Sequence, residues 1–225
     1  MGMKVLHGFY AFFSFCLLLS SIIAIVFSQV WHKKSLLLNM VFSDADLTAG
    51  LVLGIALGVT WLLSVFAIVQ RNHVTIGLVA LNWCLILDSI AITVVGTFVW
   101  FYTLRQRAEF HTVWAGLPES SRITLQDQFS CCGYFNASDL IAIGGNFCTS
   151  QEKADQLNTT VLKNFCVTPI TAYSDVSLND VFTSVYGFMA VAICLFMTSL
   201  CVIKVRQEIE RFKRIDSKRG GRGFV

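Results

Sequence analysis

Charge and proline are what this sequence has least of. Charged residues make up 14% of 225 positions, where a soluble domain carries about a quarter. The two prolines suit long uninterrupted helices and argue against a turn-rich β fold. There is no C-x-x-C pair of the kind used by thiol oxidoreductases, and no paired C-x2-C knuckle of a zinc site. No loop joins a nucleophile to a placed base and a metal motif. Catalytic, cofactor-binding and metal-ligating residues are therefore not expected, and the chain reads as a non-enzyme without a nucleic-acid partner.

What the chain has instead is apolar length. Hydrophobic residues reach 55% and mean hydropathy is +0.66. A bilayer core needs about 20 apolar residues in a helix, and four runs qualify, at 5–30, 47–69, 74–102 and 181–203. Backbone groups in lipid must be satisfied within the segment, so each run is expected to be a helix. The first is longer than the roughly 7–15-residue core of a signal peptide and lacks its cleavage site, so it is read as an uncleaved span. The connections are a short loop at 31–46, a link at 70–73 that forces a tight antiparallel hairpin, and a long loop at 103–180. Residues 1–4 and 204–225 form the two ends.

Orientation follows from the basic residues. Lys4, Arg71 and the tail residues Lys204, Arg206, Arg211, Lys213, Arg214, Lys218, Arg219 and Arg222 lie on one side. The other side carries seven in far longer segments, so the positive-inside rule places both ends and 70–73 in the cytoplasm. Both N-x-S/T sequons, at Asn136 and Asn158, then fall in the outer long loop as N-glycosylation candidates. So do Cys131, Cys132, Cys148 and Cys166, an even set that reads as a disulfide framework. Three pairings are possible, and strain between the adjacent Cys131 and Cys132 removes one. Gly133 is expected to let the backbone leave the preceding helix in a left-handed conformation. That helix is foreshadowed at 119–129 by near-helical spacing of Ile123, Gln126 or Asp127, and Phe129.

A short first loop, a long second loop and the run Phe129-Ser130-Cys131-Cys132-Gly133-Tyr134 followed by two more cysteines resemble the tetraspanin family. The Cys-Cys-Gly-Tyr-Phe-Asn run and compact length are most similar to fungal tetraspanins, including the type needed for host penetration by plant pathogens. The resemblance implies an all-α membrane protein: an antiparallel four-helix transmembrane bundle with a disulfide-braced, mainly helical extracellular loop domain. It also implies the pairings Cys131 with Cys166 and Cys132 with Cys148. Two departures stand out. Cys148 follows Asn146-Phe147 rather than a Pro-x-Ser context. The first span offers Ser14, Ser20 and Ser21 and the fourth neither carboxylate nor amide, which tells against the family's kind of intramembrane polar network.

Within the spans, Asp88 is the sole carboxylate. A buried acid in a membrane suggests function by default, but with no partner acid it reads as a group fixing helix packing. Asn82 lies about 120° away on the same helix and is expected to face a different neighbour. Gly50, Gly54 and Gly58 form a small-residue stripe for close helix approach, with the first helix and its Ser14, Ser21 and Ser28 as partner. Cys201, at the cytoplasmic boundary, is an S-palmitoylation candidate, and the basic tail should lie near anionic headgroups.

The functional expectation is a membrane organiser. It would bind other integral membrane proteins laterally, itself or other tetraspanins included, with membrane lipids or sterol as further partners. The loop region 133–166 would present the partner surface, and its apolar residues Phe135, Leu140, Ile141, Ile143, Phe147, Val161, Leu162 and Phe165 exceed what a short loop needs for its own core. About half of them are expected to pack inward. The plasma membrane is the expected location, with endosomal or vacuolar membrane as alternatives. The competing class is a small transporter or lipid-binding protein with a cavity near Asp88. A claudin-like or connexin-like junction protein is disfavoured because loop 31–46 has no cysteine.

Overall fold

The computed structural model describes residues 3–31, 44–70, 75–157 and 164–218. Among them every regular element is a helix: α1 Met3–Trp31, α2 Asp44–Val69, α3 Ile76–Gly116, α4 Glu119–Phe129, α5 Gln151–Asp155 and α6 Val167–Lys218. Four of these, α1, α2, α3 and α6, are long and apolar enough to cross a membrane, which makes the chain a membrane protein. Most of loop 31–46 and of the 70–73 link, together with Asn158, Val161 and Leu162, lies outside the described residues.

Two helices run well past their apolar runs. The third hydrophobic run stops near residue 102, yet α3 continues to Gly116; the fourth begins near 181, yet α6 starts at Val167 and continues to Lys218. Hydropathy detects only the part of a helix that must face lipid. The end of α3 and the start of α6 are held by burial of one face, with Phe110, Trp114, Ile170 and Leu178 in a core, while the last turns of α6 are exposed.

The chain divides into two compact units. The first comprises Met1–Val30, Thr48–Gly96 and Ser184–Val225. Its helices meet through small and polar residues. Gly54 lies against Ala24 and Ile25, and Gly58 against Ser21. A β-carbon on Gly54 would stand 2.8 Å from Ile25 Cγ1 and 3.1 Å from its backbone nitrogen, so only glycine allows this approach. Gly50 is different: nothing lies within 4 Å of the position a β-carbon would take. The expected three-glycine stripe is therefore a two-glycine contact. Further along the same pair, Ser14 Oγ meets Ser64 Oγ at 2.5 Å and the Tyr10 hydroxyl donates to the Ser64 carbonyl at 2.8 Å. As numbers rise along α2, those of its α1 partners fall. Likewise Asn82 with Ser199, Thr93 with Met189 and Gly96 with Tyr186 pair α3 with α6 in opposite numerical directions.

The second unit comprises Trp31–Leu47 and Thr97–Thr183. Its core gathers Phe110 and Trp114 of α3, Leu125 of α4, Ile170 and Leu178 of α6, and the Cys131–Cys166 pair. A smaller cluster surrounds Cys132, Cys148 and Ala154.

Candidate functional site

The 131–157 segment of the second unit carries little regular structure, and side chains replace the backbone ladder that would otherwise hold it. α4 ends at Ser130, whose φ of 52° and ψ of 50° place it in the left-handed region. Cys131 N–H then bonds back to the Gln126 carbonyl at 3.0 Å, closing the helix. The helix exit therefore belongs to Ser130, not to Gly133 as expected. Gly133 also has a positive φ, 67°, for a different reason: a β-carbon there would collide with the Asn136 carbonyl oxygen. Glycine is required by the tight return of the chain, not by the end of the helix.

Two cysteine pairs stand at disulfide distance, Cys131 with Cys166 and Cys132 with Cys148, with Cα–Cα separations of 5.1 and 5.6 Å. These are the pairs the resemblance implies. Adjacent side chains on an extended backbone point apart, so one dipeptide ties two segments. Backbone bonds reinforce the first tie. Cys132 N–H donates to Asn164, Cys166 N–H to Gly133 and Val167 N–H to Tyr134, at 3.0, 3.0 and 3.2 Å. The start of α6 is thereby stitched to the Cys-Cys-Gly-Tyr run. Each crosslink is worth about 3–4 kcal/mol in the chain-entropy picture.

Tyr134 is the pivot. It is fully buried, its hydroxyl donates to the Arg107 carbonyl at 3.0 Å, and its ring packs on His111, Trp114 and Phe135. Burial pushes its phenol pKa above the usual range, only partly opposed by Arg107. Asp139 shapes the turn that follows. Its carboxylate accepts from Phe135 N–H at 3.1 Å and sits 3.1 Å from His111 Nε2, while its own carbonyl accepts from Tyr134 N–H. Leu140, with a positive φ of 49°, offers its carbonyl to both Trp114 Nε1 and Arg122 Nη1. Asp127 on α4 accepts from the backbone N–H groups of Asn146 and Phe147 at 3.0 and 2.8 Å. Those two donors hold its carboxyl below the ordinary aspartate range. Gln126 Oε1 does the same for Ala142 N–H at 3.2 Å. The framework is thus rigidly braced from α3 and α4.

What this frame presents outward is narrower than the apolar composition suggested. Phe165 is buried, Leu140, Ile141 and Phe147 are partly buried, and Phe135 and Ile143 are exposed at 46% and 41%. Asn136 is exposed, its Oδ1 accepting from the Ser138 N–H and hydroxyl. No family model, curated protein or solved structure matches the chain. The reading of the site rests on its residues and geometry alone.

In the first unit, Asn82 and Asp88 face different neighbours: Asn82 accepts from the Ser199 hydroxyl of α6, and Asp88 pairs with Thr60 of α2. The structure does not bring these two residues together. Ser21 donates to the Gly54 carbonyl at 2.8 Å. A set of polar contacts therefore joins the helices of this unit, pairing hydroxyls with an amide, a carboxylate, another hydroxyl and a backbone carbonyl. Its weak sequence signal explains why it was not expected, since serine and threonine in a hydrophobic run can bond their own helix, as Ser20 and Ser89 do here. Cys201 is exposed, and Cys16, Cys84 and Cys194 are half-buried.

Arg206 is a second correction. Counted among the tail cations meant for headgroups, it is 2% exposed and donates to the Ala67 and Ile68 carbonyls at 3.5 and 3.0 Å. It caps the last turn of α2, where unsatisfied carbonyls and the helix dipole favour a cation. Nothing in its sequence context separates it from its exposed neighbours.

Proposed function

We propose that this protein is a tetraspanin-like membrane organiser, an antiparallel four-helix bundle whose second unit is extracellular and binds other integral membrane proteins laterally. The observation that carries this reading is the braced segment 131–157 with its tie to Cys166. Two crosslinks, a buried Tyr134 and carboxylate clamps at Asp127 and Asp139 hold a compact frame that displays Phe135 and Ile143. Such rigidity lowers the ordering cost of binding. The opposite numerical pairing of α1 with α2 and of α3 with α6 supports the antiparallel bundle. Ser14 with Ser64 and Ser199 with Asn82 pair between helices of the first unit, the use expected of a packed bundle. On this reading the protein is not an enzyme and sits in the plasma membrane, with fungal morphogenesis or host penetration as its setting.

The test is affinity purification in mild detergent. Wild type would be compared with a chain whose 133–166 segment is replaced by that of another four-span protein with the same cysteine framework. The set of co-purifying membrane proteins is expected to change with the segment. An unchanged set would remove this unit from partner choice. One observation favours the second reading, a transporter or lipid-binding protein with a cavity near Asp88: the Asp88 Oδ2 atom is buried without a hydrogen-bond partner among the described residues.

A further inference from the structure

After its apolar stretch α6 continues as a helix to Lys218. One flank of this extension and Thr75, the residue before α3, line a cavity of about 650 Å³. Gln207, Arg211, Arg214 and Lys218 recur every three or four residues, which places them on one face of the helix. Among the described lining residues the sole carboxylate is Glu210, and it lies 3.7 Å from Lys213, which does not line the cavity. Arg211, Arg214 and Lys218 make no ion pair among the described residues. Thr75 brings the N-terminal end of α3, the positive end of its dipole, to the edge of this space. Arg206 also lines the space but is committed to the α2 carbonyls, and the repulsion among the other three cations would be relieved by an anion of matching charge. A single phosphate is too small for this volume and carries too little charge.

We propose that this cavity binds the headgroup of a membrane lipid carrying two or more phosphates. The lipid source follows from the surrounding chain. Phe212 is 64% exposed and Ile215 37% on the same few turns, and the helix that carries them runs on from a membrane span. Apolar side chains interleaved with cations at such a boundary suit the acyl–headgroup interface and not a freely soluble anion. The inference rests on the membrane orientation proposed above, since multiply phosphorylated lipids belong to the cytosolic leaflet, but not on the organiser function.

The test uses the full chain in neutral detergent, where both ends of the bundle are accessible. Binding of short-chain phosphatidylinositol bisphosphate, short-chain phosphatidylserine and free inositol trisphosphate would be titrated against wild type and two charge-matched variants. In Arg211→Gln/Arg214→Gln both lost cations line the cavity; in Lys204→Gln/Lys213→Gln neither does. At about fivefold per cation, the first variant is expected to bind the bisphosphate lipid roughly thirtyfold more weakly, and the second less than about threefold. All four positions are exposed, and a single size-exclusion peak at the wild-type volume checks that each variant is folded. Equal losses in the two variants would show a diffuse basic surface and overturn the site. Phosphatidylserine binding as tightly as the bisphosphate lipid would overturn the multiple-phosphate requirement. Inositol trisphosphate binding as tightly as the lipid would overturn the lipid source. A wrong orientation would appear instead in protease protection of intact membranes, without altering any of these titrations.

Discussion

The two units are both helical and are built inside out with respect to each other. In the first, Phe12, Phe66 and Trp83 are 59%, 67% and 65% exposed, while Ser14, Ser64 and Ser199 are buried. In the second, Phe110, Trp114 and Tyr134 are fully buried and the exposed positions include Glu109, Glu119 and Lys153. Transfer physics gives a reason for such a contrast in a membrane protein. Lipid offers no hydrophobic incentive for a phenylalanine to go inside, so helix contact there depends on small residues and on hydroxyls that find partners. Where water surrounds the chain, burying aromatic area is the main driving force. A short segment with few regular elements lacks enough of that area and adds covalent ties.

This contrast makes graded predictions. The largest effect is expected for Trp114→Ala, which opens a cavity beside Tyr134 and Leu125 in the second unit and should cost about 3–5 kcal/mol. Limited proteolysis should cut within 97–183 while the span helices stay protected, and cleavage spread evenly over both units would erase the distinction. Next is Cys132→Ser, expected to lose about 3 kcal/mol and to be retained before the cell surface. Surface staining equal to wild type would show that the Cys132–Cys148 tie is dispensable.

In the first unit the expected losses depend on contact distance. Gly54→Ala drives a methyl group against Ile25 and should cost about 1–3 kcal/mol by overpacking. Gly50→Ala meets open space and should cost nothing, so a thermal aggregation curve in detergent should separate the two. If both variants melt alike, the α1–α2 contact is placed wrongly. The smallest effect concerns the clamp at Asp127. Its folded pKa is depressed, so its contribution is present above the unfolded aspartate value of about 3.9 and fades as pH falls through the lower folded value. Asp127→Asn should speed amide exchange at Asn146 and Phe147 near neutral pH. Wild type should approach the variant only in acid, and a difference unchanged down to about pH 2 would contradict the clamp.

Legibility in the sequence followed the same divide. The four helices of the membrane were visible because lipid demands a long unbroken apolar run, and α1 at Met3–Trp31 and α2 at Asp44–Val69 lie within three residues of the runs at 5–30 and 47–69. The helical nature of 119–129 was visible from spacing. The end of α3 and the start of α6 were not, since there a helix is sustained by partners that sequence order does not reveal. Ser130, Asp139 and Leu140 carry the turn geometry around Gly133, yet as residue types they are ordinary loop members. Gly50, Gly54 and Gly58 lie along one side of α2, and only their distances to α1 separate the two that matter from the third.

Composition and hydrophobic length by themselves determined that this chain lives in a membrane through four helices, because an unbroken apolar run of about 20 residues satisfies its backbone in lipid as a helix, whereas barrel strands are shorter and alternate. Which serine meets which, that Arg206 turns inward to cap α2 while Arg211 and Arg214 stay exposed, and how one Cys-Cys-Gly turn is clamped from two helices were decided by tertiary structure. Those outcomes depend on distances between segments far apart in the chain, and a hydroxyl or guanidinium is committed only when a partner comes within about 3 Å of it.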